Sequence, residues 1–292
     1  MKKIQKNIGE IQVFAAGAIW GTIGLFITQL NRCGSDSIMT SLLRVLFAFV
    51  IMAIITMVKS GAKAFKTDAR TLISCALLGI ICHGIYNVFY SIAVVSTGVT
   101  ISAVLLNIAP VFTALTSRII FSEKLTPAKI FAIAINVIGC ILAVTGGNIS
   151  LVGLSVTGIL FGIGAGFCYA LTAIIGRIAG SKADAFVIST YSYLFAAIFL
   201  ILFLKPMHAE ISINSGMIIW GFLFALIPTS IAYIIYYKGV QKIKESSKVP
   251  VFASVETIVA AILGVLILHE SIGHINVLGI ILVIISIMLM NK

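Results

Sequence analysis

The sequence predicts an all-α integral membrane protein of ten transmembrane helices, arranged as two inverted five-helix repeats. Three observations predict it. The 292 residues are 60% hydrophobic and only 10% charged, with a mean hydropathy of +1.18. The apolar runs are about twenty residues long, the length a helix needs to cross a hydrocarbon core. The second half repeats motifs of the first at a constant offset of 147 residues. A soluble domain is about a quarter charged, so a water-soluble enzyme is excluded. A disordered chain, which needs low hydrophobicity, is excluded too.

Taken in order, the apolar runs place spans at 11–30, 38–58, 71–91, 99–121, 128–146, 153–177, 186–204, 216–237, 249–268 and 274–290. Strands of a membrane barrel would alternate over about ten residues, and these runs do not. The N-terminal Met-Lys-Lys start resembles a signal peptide, but the following run is too long and lacks a polar cleavage region. It reads as an uncleaved first span. With the N-terminus in the cytoplasm, seventeen of the 20 Lys and Arg fall on the cytoplasmic side. Only Arg32 and Lys205 fall outside, and Arg44 lies within a span. This is the positive-inside asymmetry, and an odd number of spans would destroy it. Both termini are therefore expected in the cytoplasm, with the chain multi-pass in the cell (cytoplasmic) membrane.

The net charge of +11 sits in short clusters between apolar runs, which argues for loops facing anionic lipid and against nucleic acid. The five cysteines form no CxxC pair, so neither a disulfide framework nor a zinc site is expected. His208, His269 and His274 stand near the external surface without a metal-binding spacing. No metal and no cofactor are expected. The absence of a Walker A sequence leaves no motif for direct use of ATP.

At the 147-residue offset, Tyr86-Asn87-Val88-Phe89-Tyr90 falls on Tyr233-Ile234-Ile235-Tyr236-Tyr237. Ile119-Ile120-Phe121-Ser122-Glu123 falls on Leu266-Ile267-Leu268-His269-Glu270 without a gap. Each copy holds five spans, so the second enters the membrane from the opposite side. The repeats are 1–148 and 149–292. Glycines at 158, 162 and 166, and at 17 and 21, have the spacing of close helix-packing faces.

These residues resemble the drug/metabolite transporter superfamily, in its EamA-like ten-helix branch. The resemblance rests on Trp20-Gly21, Arg44, Pro110, the Phe121-Ser122-Glu123-Lys124-Leu125-Thr126 run, and Glu256 ahead of Leu268-His269-Glu270. Thr257 departs from the pattern, which places Pro after the Glu. The resemblance covers the whole chain and implies two five-helix repeats around a central cavity that moves small metabolites, often outward.

Two charged side chains lie well inside spans, Arg44 and Glu256. Such groups cost about 2.5–3.5 kcal/mol on insertion scales and generally face a cavity. At the helical rise their depths differ by only about 8 Å. They either hold opposite ends of a small zwitterion, form a structural ion pair, or leave Glu256 to carry protons as the coupling ion. Glu123 and Glu270, at span ends, read as caps or interfacial hydrogen-bonding groups. His83, Tyr86 and Tyr90 share one helical face, as do Ser230, Tyr233 and Tyr237. Both faces could line one cavity, although an interfacial belt would also account for Tyr90, Tyr236 and Tyr237. Asn87, Asn107, Trp20, Tyr169 and Tyr191 complete the candidate substrate-binding set with Glu256, Arg44, His83, Tyr86 and Tyr233.

The expected function is secondary-active transport of a small amino-acid-like or amphiphilic metabolite by alternating access, in the direction of export. The alternative is an uptake carrier or exchanger for a cationic amine. An enzyme is not expected, since no nucleophile, base or metal cluster converges. The expected partners are the small-molecule substrate, the lipid bilayer and protons, with the protein a monomer or homodimer. In a cysteine-free background, an external thiol reagent should react with Glu210→Cys and miss Lys63→Cys and Lys292→Cys. External labelling at position 63 would overturn the topology.

Overall fold

The computed structural model describes residues 2–148, 155–181, 183–204, 213–268 and 271–291. Lys205, His208, Glu210, His269, Glu270 and Lys292 lie outside the described residues. Among those described, every regular element is helical. Nine helical spans are long and apolar enough to cross a membrane: α1 (Ile8–Arg32), α2 (Ser37–Ser60), α3 (Ala69–Thr97), α4 (Val99–Phe121), α5 (Pro127–Thr145), α6 (Val156–Gly180), α7 (Ala185–Leu202), α8 (Ser215–Val240) and α9 (Ser246–Ile267). A tenth apolar helix, α10 (His274–Met290), has 17 residues, the short end of the spanning range. The chain is a multi-pass membrane protein. Isoleucines and leucines such as Ile11, Ile54, Ile119 and Leu160 point outward, while many alanines and other apolar residues are buried together with serines, threonines and tyrosines.

Local chemistry sets the boundaries. The Asp36 carboxylate accepts from the amides of Ile38 and Met39 at 2.9 and 2.7 Å and starts α2. Asn214 does the same for α8 through the Met217 amide at 2.9 Å. Helices α3 and α4 are joined by Gly98 alone, at φ +83°, a backbone conformation that costs glycine nothing and other residues strain.

Five spans carry irregularities, and those of four recur in register. A π-helical stretch occupies Leu78–Ile85 of α3 and another Ala225–Ile231 of α8; their first residues are 147 apart. Helix α4 is interrupted at Asn107, and α9 at Ser254, again 147 apart. In α8 the cause is Pro228, which has no amide to donate to the Phe224 carbonyl. The helix widens there to π-helical spacing, and the Thr229 hydroxyl adds a bond to the same carbonyl, at 2.9 Å. In α3 the Asn87 amide donates to the His83 carbonyl. Helix α1 breaks at Gly21 and Thr22, while α6 runs on without a break.

The tightest pairings join one half of the chain to the other: α5 with α10, α2 with α7, α3 with α6 and α1 with α8. Along α5 and α10 the backbones touch. A Cβ on Gly279 would lie 2.2 Å from the Ala143 amide nitrogen and 2.6 Å from the Gly139 carbonyl. The glycines at 158, 162 and 166 likewise face α3 and α4, and those at 17 and 21 face α9, so these stripes are internal packing surfaces. Gly279→Leu should therefore lower stability by about 1–3 kcal/mol or more, read as a fall in Tm of the detergent-solubilised protein. Gly24→Ala, with no atom within 4 Å of the added methyl, should leave Tm unchanged or raise it.

Candidate functional site: a buried aromatic cluster between Arg44 and Glu256

The irregular stretches of α3 and α8 face each other. His83 and Tyr233 have ring centroids 5.0 Å apart, and the Tyr237 hydroxyl lies 3.5 Å from His83 Nε2. Trp20, from the end of the first segment of α1, packs 4.9 Å from both Tyr233 and Tyr236. Tyr169 of α6 links Trp20, at 6.5 Å, to Tyr86, at 6.0 Å, and Tyr86 stacks on Tyr90. Tyr193 of α7 completes the cluster, 5.3 Å from His83. Five spans thus contribute rings to one inner surface. Two of its polar atoms are buried without a partner, the Trp20 indole Nε1 and the Ser230 hydroxyl. Buried donors are rarely left unpaired, so both are available to a molecule lying against the cluster.

Arg44 enters from α2. Its Nε donates to the Thr229 hydroxyl at 2.9 Å, and its guanidinium lies 4.9 Å over the Phe224 ring. The hydroxyl that repairs the α8 backbone therefore also positions the cation. Glu256 follows the α9 interruption directly. With Asn107, Pro110, Asn136, Tyr169 and Ser254 it lines a cavity of about 10 Å³, room for roughly one water. Arg44 and Glu256 do not pair with each other, and Glu256 has no ion-pair partner among the described residues. Tyr86 and Tyr233 lie within electrostatic reach of both charges.

The remaining expected site residues divide. Asn107 faces the Glu256 cavity, its Nδ2 donating to the Ala103 carbonyl at 2.9 Å. Asn87 is spent on structure: besides His83 it accepts from the Ser41 hydroxyl at 3.0 Å. Tyr191 stands apart from the cluster. Its hydroxyl donates to the Phe65 carbonyl at 2.7 Å, and its ring packs edge-on against Phe65. Tyr193, two residues on and so on the opposite side of the helix, takes the inner place. Tyr236 and Tyr237 are buried in the cluster and are not part of an interfacial belt.

The face at which α4 ends is tied shut. Ser122, at φ +55°, turns the chain so that Glu123 points inward. The Glu123 carboxylate accepts from the amides of Ser246 and Ser247 at 2.7 and 3.3 Å and from the Ser247 hydroxyl at 3.0 Å. It also pairs with Arg177 of α6 at 2.6 Å, and that guanidinium lies over Phe121. Beside it, Lys129 pairs with Glu245 at 2.5 Å. Burial raises the Glu245 carboxyl pKa, but Lys129 and Lys248 outweigh burial and hold it below its usual value. The contribution of these pairs is therefore complete above the ordinary carboxylate pKa and is lost as pH falls through the lowered one. A double-mutant cycle with Glu123→Ala and Arg177→Ala should return a coupling of about 0.5–3 kcal/mol in thermal stability. Strict additivity would mean that the ion pair contributes nothing.

Comparison with known proteins agrees with this architecture. The model of the EamA-like transporter family matches the chain twice, over residues 7–145 and 156–292. An uncharacterized transporter of Archaeoglobus fulgidus is 24% identical over 93% of this chain and 92% of its own length. The uncharacterized inner membrane transporter YicL of Salmonella typhimurium is 24% identical over 97% and 95% of the two chains. The uncharacterized transporter YyaM of Bacillus subtilis is 26% identical over 82% and 80%. A crystal structure superposes with a TM-score of 0.81 over 97% of this chain and 96% of the other, at 13% identity, a likeness of fold. The chain belongs to the EamA-like transporter family.

Proposed function

We propose that the protein is a secondary-active transporter that moves a small amino-acid-like or amphiphilic metabolite outward across the cytoplasmic membrane by alternating access. The observation that carries this reading is the buried aromatic cluster between a tethered cation and a carboxylate without an ion-pair partner among the described residues, with unpartnered donors on Trp20 and Ser230. Aromatic faces hold apolar and cationic groups, Arg44 takes a carboxylate and Glu256 an ammonium group. Two inverted repeats, 1–148 and 149–292, are supported by the irregularities that recur at one offset. They are supported also by the helix pairings, since advancing each helix by five places turns α1–α8 into α6–α3 and leaves α2–α7 and α5–α10 unchanged. An odd helix count per repeat makes the two halves antiparallel, the arrangement that lets one half rock against the other. Under the positive-inside orientation, the face closed by Glu123 is the cytoplasmic one.

Glu256 is the coupling residue: its charge is cancelled either by a proton or by a cationic group of the substrate, and the two compete. In proteoliposomes, with a ligand first found by thermal shift against zwitterionic and cationic metabolites, Glu256→Gln should fold normally, keep exchange and lose uphill transport. Uphill transport at the wild-type rate from pH 6 to 8 would make Glu256 structural. Trp20→Phe, which keeps most of the ring and removes the indole donor, should weaken substrate affinity about tenfold.

Uptake or exchange of a cationic amine is favoured by one observation, that Arg44 is already engaged by Thr229 and Phe224 while Glu256 is not paired. The same assay separates the two. Arg44→Met should abolish binding of a zwitterion and leave binding of an amine unchanged.

A further inference from the structure

Asn136 of α5 is fully buried, and its orientation is fixed by its neighbours. Its Nδ2 lies 2.7 Å from the Ser254 hydroxyl and 2.8 Å from that of Ser286. Each serine spends its one hydroxyl proton on its own helix, Ser254 on the Val251 carbonyl and Ser286 on the Val283 carbonyl, both at 2.7 Å. The serine oxygens can therefore only accept, and only the NH2 side of the amide can face them. This forces Asn136 Oδ1 to the other side, where it is buried and unpartnered.

Asn136 lines one small cavity together with Glu256, Asn107 and Ser254. The donors of its polar lining are largely used elsewhere, Asn107 Nδ2 on Ala103 and the Ser254 hydroxyl on Val251. Tyr169 brings the remaining hydroxyl. Beside the apolar Leu106, Ala109, Pro110 and Pro250, the polar lining thus offers mostly acceptors, one of them a carboxylate with no ion-pair partner among the described residues, and Arg44 Nε is held at Thr229. A water molecule would fill the space and satisfy the amide oxygen, but whenever Glu256 is ionised its charge needs a cation, since an uncompensated charge is costly away from solvent. The two helix interruptions, at Asn107 and at Ser254, meet at the same cavity, as they do where transporters bind ions.

We propose that this cavity is a binding site for a compact monovalent cation, either a sodium ion or a primary ammonium group, held by the Glu256 carboxylate and the Asn136 amide oxygen. Oxygen donors and a space of about one water suit a small hard cation. The proposal deepens the transport reading by naming what occupies Glu256, yet it is tested by binding alone.

The experiment is thermal unfolding of the full-length protein in detergent, without substrate, at constant ionic strength. Sodium chloride and methylammonium chloride are compared with N-methylglucamine chloride, whose cation is too large for the cavity. At ten times its dissociation constant, a bound cation should raise Tm by about 2–4 °C over the bulky control, and the rise should saturate. A response to sodium alone identifies a free coupling ion, and a response to methylammonium, alone or with sodium, identifies the ammonium of a substrate. Glu256→Gln, which keeps the shape, should abolish the response, and Asn136→Ala should weaken cation affinity at least tenfold. If Asn136→Ala does not fold, Glu256→Gln decides. The proposal is overturned if neither cation exceeds the control, or if Glu256→Gln responds like the wild type. A cation response without transport in proteoliposomes would instead count against the transporter reading and leave the site standing.

Discussion

Inside a bilayer no water is present to complete a broken backbone ladder, so each irregular helix must be repaired by its own side chains. The Thr229 hydroxyl carries most of that burden here. It donates to the Phe224 carbonyl, which Pro228 cannot reach, and accepts from Arg44. The repair sets the π-helical stretch of α8, the stretch turns Tyr233, Tyr236 and Tyr237 toward α1 and α3, and the aromatic cluster follows. Without that hydroxyl, Arg44 Nε would lose its acceptor.

Much of this was readable from residue order alone, and the reasons differ by element. Span number and placement follow from hydropathy, because a bilayer imposes one length on every crossing. The third span runs beyond the expected edge at 91 to Thr97, since Ser91, Ser96 and Thr97 read as a polar boundary, whereas Thr97 turns its hydroxyl back to the Ala93 carbonyl and stays helical. His83, Tyr86 and Tyr233 were visible as polar aromatics on faces of helical spacing, and Trp20 as a lone polar aromatic within its span. Tyr191 was not separable from Tyr193, because a single helix of mean apolarity all round gives no clue to which side faces inward. Asn136 escaped notice although it is an amide in the middle of a span. Its significance lies in how two serines, 118 and 150 residues away, use their protons, and no one-dimensional pattern records that.

The two polar clusters have different work to do. The network around Glu123 consists of paired charges near one face, accessible enough to be solvated if it opens. The groups around Glu256 lie deeper and are short of positive charge. Both clusters occur on the same two spans: α4 carries Asn107 and ends two residues before Glu123, while α9 begins at Ser246 and carries Glu256.

The backbone contact of α5 with α10 has a mechanical meaning. Where glycines let two main chains touch, and Asn136 bolts α5 to both α9 and α10, sliding would have to break several close contacts together. Rotation about that line breaks few. The α5–α10 pair is therefore placed to serve as the axle if the halves rock against each other, and the cavity shared by Asn136 and Glu256 lies beside it. An ion bound there, as proposed, would act close to the line about which the halves turn.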